Sequence, residues 1–159
     1  MSIQNKIIYF IISLIFFICF DLYFSELILN DLRFKVQENG FMDLIFVQNT
    51  GAAFSILENY KLFLIVFSII AIFVISVYVI RHLEKFSTIS VFWAAMLLAG
   101  IGCNVYERIA FGYVRDFFKL NFIDFPVFNI SDIFINIGVL AIIIIIIKNK
   151  YLKSNETDN

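Results

Sequence analysis

Proline occurs once and glycine six times in this chain of 159 residues, so collagen-like and low-complexity classes are excluded, and the length allows one domain. Charged residues make up only 16% and leave a net charge of -1, which gives no basic footprint for nucleic acid. Cysteine is equally sparse: Cys19 and Cys103 both lie inside apolar runs, a pattern that suggests neither a disulfide framework nor a zinc site. His82, the one histidine, stands between Arg81 and Leu83 and offers no ligand set. No metal or other cofactor is expected. What fills the chain is apolar: 62% of residues are hydrophobic and 18% aromatic, with 21 Phe, against about 45 to 50% apolar in soluble domains. This argues against a water-soluble globule.

A bilayer core about 30 Å thick needs about 20 helical residues at about 1.5 Å each. Four uncharged apolar runs approach that length: residues 7–20, 62–80, 86–106 and 133–147. The predicted fold is an all-α polytopic membrane protein with four transmembrane helices, over about 7–24, 61–80, 86–106 and 131–148. They form a single membrane-embedded domain over 1–153, with outer loops at about 25–60 and 107–130 and a disordered tail at 154–159. Lys6 and the run after it could make a secretory signal, but no small-x-small cleavage site follows, so a retained helix is expected.

With the N-terminus inside, half of the twelve Lys and Arg fall in the cytoplasm. These inside segments are much shorter than the outside loops, so the density of positive charge places both termini in the cytoplasm. In either orientation the ends of spans 1 and 3 and the start of span 4 share one side, and the polar groups collect there: Asp21, Asn104, Glu107, Arg108 and Asp132. Spans 1 and 4 are short, which draws Asp21 and Asp132 towards hydrocarbon, where an acid is a functional candidate by default.

The outer loops differ. In the first, LRFKVQ and DLIFVQN flank an Asn39-Gly40 turn, and this alternation predicts a β-hairpin and hence a small extracytoplasmic sheet. In span 3, Ala94, Ala95, Ala99, Gly100 and Gly102 predict close helix packing.

Three stretches, FVQNTGAAFSIL (46–57), NVYERIAFGYVRDFF (104–118) and FPVFNISDIFINIG (125–138), together resemble the lipoprotein signal peptidases (signal peptidase II), in motif order and over nearly the whole chain. The resemblance implies an intramembrane aspartyl protease whose catalytic pair is matched by Asp116, in VRDF, and Asp132, in FNISD. Two nearby carboxylates share one proton; one takes a proton from attacking water while the other polarises the peptide carbonyl and assists the leaving amine. The implied substrate is a prolipoprotein with a diacylglyceryl-modified cysteine, cut on the N-terminal side of that cysteine, near the extracytoplasmic face of a bacterial inner membrane. Membrane lipid is the other expected partner; the oligomeric state is not indicated. Asn49, Gly51, Ala53 and Phe54 match a substrate-holding segment, and Asp21, Asn104, Arg108 and Asn129 match further site positions.

The chain departs from the family pattern at four places. Ser25 stands at a lysine position, Glu107 at an aspartate, Ser131 at an alanine and Cys103 at a glycine. Glu107 and Arg108 are expected to form an ion pair supporting the site, with Arg108 a candidate partner for Asp21. Blander readings exist: Asp132 as a helix cap, Asp116 as a solvated ion pair with Arg115, Asn49 as a turn former, and Asn136 as interhelical hydrogen-bond glue. Two alternatives to a protease are a non-catalytic relative that binds lipidated peptides and a small proton-coupled transporter.

Overall fold

A computed structural model describes residues 1–32, 40–52 and 56–157. The elements run α1 (Ile3–Leu27), a π-helical turn (Ile28–Leu32), β1 (Met42–Asn49), α2 (Lys61–His82), α3 (Thr88–Ala110), β2 (Val114–Leu120) and α4 (Ile130–Thr157). All four α-helices contain stretches long and apolar enough to cross a membrane. Helix α4 continues to Thr157, so residues 154–157, expected in a disordered tail, are helical.

How a run of fourteen uncharged residues becomes a span is answered by α1. Its buried residues are Lys6, Ser13, Phe17, Asp21 and Ser25, a mostly polar row at helical spacing, while Ile8, Ile12, Ile15 and Phe16 on the other side are exposed. The helix is inside out: apolar side chains meet lipid tails, and polar ones are tucked against protein where partners exist. At 25 residues it is about 37 Å long, enough to span.

The central helix is α3, against which α1, α2 and α4 all pack. Small residues make this possible. A Cβ on Gly100 would lie 2.6 Å from the Ser131 carbonyl oxygen and 3.0 Å from Phe134 Cβ, so α3 and α4 touch backbone to backbone there. Gly102, expected to serve the same purpose, has nothing within 4 Å of its Cβ position because it faces away from that contact. Phe17, Met96, Ala99, Ile130 and Phe134 fill the core where α1, α3 and α4 meet.

Two helix ends are set locally. Ser87 caps α3 by accepting from Ser90 N at 3.1 Å, and Gly112, at φ +88, takes the left-handed conformation that turns the chain from α3 into β2. β1 pairs antiparallel with β2, Asn49 opposite Val114 and Val47 opposite Asp116. The sheet therefore joins the two outer loops. Of the expected hairpin, residues 33–39 lie outside the described residues, and Leu32 ends the π-helical turn.

Candidate active site

The chain after β2 folds straight back. Phe118 and Phe128 form an antiparallel bridge, with Phe128 N donating to Phe118 O at 3.1 Å and Phe118 N to Phe128 O at 2.9 Å. This return brings Asn129 and the start of α4 beside Asp116, although the sequence separates Asp116 and Asp132 by 16 positions.

Asn129 is the joint. Its Nδ2 donates to Asp116 Oδ1 at 3.0 Å and to Asn104 Oδ1 at 3.1 Å. Its Oδ1 accepts from Asp132 N at 2.8 Å, and its own N donates to Asp132 Oδ2 at 3.3 Å, a reciprocal cap on the first turn of α4. Asn104 Nδ2 donates to Asp132 Oδ1 at 3.0 Å. One amide thus contacts both acids, and Asp132 caps its helix while remaining on the cavity wall.

Asp116 is buried, 1% exposed, so the solvated ion-pair reading fails. Asn49, diagonal to it across the sheet, donates from Nδ2 to Asp116 Oδ2 at 2.9 Å and accepts from Gly51 N at 2.9 Å; it both forms the turn and holds the acid. Burial pushes the Asp116 carboxyl up to about 7, helped by the negative charges of Asp132 and Glu107 and opposed by the Asn49 bond and by Arg108. Asp116, Asp132, Asn49, Gly51, Asn104 and Arg108 all line one cavity of about 770 Å³, within the usual range for ligand sites.

The charges pair differently from expectation. Glu107 does not pair with Arg108. Its Oε1 accepts from Arg115 Nε at 2.8 Å and from Nη2 at 2.7 Å, and its Oε2 from Arg115 N at 2.7 Å. Arg115 also reaches Glu26 of α1 at 2.8 Å. The strand bearing Asp116 is thereby clamped to α3 and α1, because the extra methylene of Glu107 lets it grip both backbone and side chain of Arg115. Arg108 instead donates from Nη2 to Gly51 O at 2.7 Å and from Nη1 to Asn104 O at 3.3 Å; its Nε is buried and has no hydrogen-bond partner among the described residues. Asp21 finds its partner in Ser131, whose Oγ donates to Oδ1 at 2.7 Å, and not in Arg108. The departure at 131 thus supplies a hydroxyl for the acid of α1.

Asn136 donates to Asp132 O at 2.8 Å within its own helix, not across helices. Ala53 and Phe54 lie outside the described residues. Arg115 is not marked as a site residue by the sequence because a lone Arg beside an acid reads as a surface pair; its partner Glu107 lies eight residues earlier, across the end of α3 and the Gly112 turn, and carries no local signal.

Paired carboxylates at one end of a helical bundle, linked through a shared amide and facing a cavity, define a class of membrane-embedded acid–base site. Residues 12–148 match the family described as Signal peptidase (SPase) II. The lipoprotein signal peptidase of Streptococcus thermophilus is 36% identical over 111 residues, 70% of this chain and 72% of that protein. That of Buchnera aphidicola subsp. Schizaphis graminum is 38% identical over 160 residues, 95% and 99% respectively. A bacterial membrane enzyme solved by the in meso method at 2.3 Å superposes with a TM-score of 0.77 at 28% identity, covering 89% of this chain and 88% of that one; a second, at 1.9 Å, gives 0.73 at 28% identity, covering 87% and 92%. The chain belongs to the signal peptidase II family, and it is a multi-pass membrane hydrolase acting on peptide bonds.

Proposed function

We propose that this protein is an aspartyl endopeptidase of the bacterial cytoplasmic membrane that removes the signal peptide from diacylglyceryl-modified prolipoproteins, cutting on the N-terminal side of the lipidated cysteine. The observation that carries this reading is Asn129, one side chain bonded to Asp116 and to the backbone of Asp132. A water between the two carboxyl groups gives a proton to the ionised one as its oxygen attacks the scissile carbonyl. The protonated one donates to the carbonyl oxygen, and the tetrahedral adduct collapses as one of its hydroxyls returns a proton to this acid and the leaving amine takes the proton that water gave up. Arg108 Nε, a buried donor with no partner among the described residues, is placed to donate to a substrate carbonyl, and Asn49 and Gly51 edge the groove.

The relatives' shared name, lipoprotein signal peptidase, supports the substrate, and so does the setting. Phe41 and Phe122, stacked with centroids 4.4 Å apart, lie exposed just beyond the Met42–Leu120 end of the sheet, suiting a surface that meets the bilayer while acyl chains remain in lipid. In this reading both termini are cytoplasmic and the acid end is extracytoplasmic. A proton relay fits less well, since the acids sit at one end and α2 bears none between Lys61 and Arg81.

The test is cleavage of a diacylglyceryl-modified lipobox peptide by the purified full chain. Wild type cuts it and leaves the unlipidated peptide intact; Asp116→Asn and Asp132→Asn each lower turnover by about 100- to 10,000-fold while helical content is retained. Unimpaired cleavage by either variant rejects the pair, and intact substrate recovered bound to wild type favours a binding protein instead.

A further inference from the structure

A second cavity, of about 750 Å³, lies at the end of the bundle away from the acids. Its walls are Ile75 and Val79 of α2, Ala94 and Leu97 of α3, and Ile142 and Ile145 of α4. Its mouth carries His82, Lys85 and Ser87. The depth is set by helix geometry: from Ser87 to Leu97 is about 15 Å along α3, half of a hydrocarbon core of about 30 Å. There the groove is closed, because a Cβ on Gly138 would lie 2.9 Å from Leu97 Cβ and 3.1 Å from its Cα, so α3 and α4 are in contact. The groove is one leaflet deep and floored at mid-membrane.

Wall chemistry and charge select the occupant. Between mouth and floor the walls are aliphatic side chains and Ala94, which suit one acyl chain. At the mouth Lys85 is exposed, with Arg81 at the end of α2 and Lys148 on α4 at the same end; Glu84 is the one carboxylate in the α2–α3 turn. The N-terminus of α3 adds its positive dipole end. The turn is fixed from below: buried Lys6 donates from Nζ to the carbonyls of Leu83, Glu84 and Phe86 at 3.2, 2.9 and 2.6 Å, so Lys6 is spent on holding the mouth and Lys85 is left for a ligand. We propose that this groove binds one anionic phospholipid of the leaflet opposite the acids, an acyl chain between α2 and α4 and the headgroup phosphate at Lys85.

Native mass spectrometry of the full chain, released from micelles containing phosphatidylglycerol and phosphatidylcholine of identical acyl chains, tests this. Phosphatidylglycerol is expected to be retained about five-fold over phosphatidylcholine, the worth of one basic side chain near a headgroup. Lys85→Gln, a surface change, brings the two to parity and leaves cleavage unchanged; Ile145→Trp fills the groove and lowers retention of both. Equal retention by wild type, a preference that survives Lys85→Gln, or undiminished retention by folded Ile145→Trp overturns the proposal.

Discussion

Helices α2 and α3 have nearly the same length, 22 and 23 residues, yet 11% of the α2 span is buried against 61% of that of α3. The more hydrophobic of the two is the more exposed. In a bilayer apolar side chains gain nothing by leaving lipid for protein, so the most apolar helix goes outside, while the helix bearing Gly, Ala, Asn, Glu and Arg becomes the centre, where backbones approach closely and polar groups meet partners. The acid end is supported by the polar residues that α3 carries, which α1, α2 and α4 surround.

The contrast breaks most sharply at Arg115. Arg115→Met strands Glu107 as a buried charge without its partner and is expected to cost about 3 to 5 kcal/mol. Glu26→Gln, at the exposed end of the same network, costs under about 1 kcal/mol; thermal unfolding of both variants checks the pair. Next comes Asn129→Ala, which unties Asp116 from the α4 cap: a displacement of about 1 Å at the acids lowers turnover about 100-fold in the lipobox peptide assay, with folding preserved. A smaller effect separates two glycines of α3. Gly100→Ala overpacks against Ser131 O and costs about 1 to 3 kcal/mol, whereas Gly102→Ala is neutral or mildly favourable, its Cβ meeting open space. On α2, Phe67→Leu and Phe73→Leu, both exposed, change stability by no more than about 0.5 kcal/mol.

The acid end also has a pH signature. Because Asp116 is held above its unfolded value of 3.8, up to about 7, the folded state binds a proton that the unfolded chain releases between those limits. Stability contributed by this group is therefore fully present at low pH and is lost as pH rises towards 7. Asp116→Asn is expected to flatten the fall in melting temperature between pH 5 and pH 8, and wild-type turnover to decline as pH rises through about 7, where the shared proton leaves. A turnover that keeps rising through pH 8 contradicts this assignment.

Much of this was legible in one dimension because a membrane imposes one-dimensional rules. A run of uncharged residues such as 62–80 announces a span whatever its neighbours, and a short run ending in an acid, as at Asp21, marks a helix that must hide that acid. The family motifs singled out Asp116, Asp132 and Asn129 by identity. Pairing was another matter. The expected ion pair of Glu107 with Arg108 joined sequence neighbours, but adjacent residues on a helix point about 100° apart, and the guanidinium that reaches Glu107 comes from β2. The hairpin expectation likewise favoured the nearest strand, whereas β1 takes its described partner from a loop 65 or more residues away. Lys6, which the sequence shows only as a charge ahead of the first apolar run, is a buried donor to three carbonyls of the α2–α3 turn.

What the amino-acid order decided alone is how many times the chain crosses the membrane and which end of the bundle gathers its acids, because hydropathy is summed locally along each span. Which acid contacts which amide, and that a single asparagine links positions 116 and 132, was decided only in three dimensions. Hydrogen bonds form between groups within about 3 Å, and it is the close contact of α3 with α4 and the return of residues 125–129 along β2 that bring these within reach.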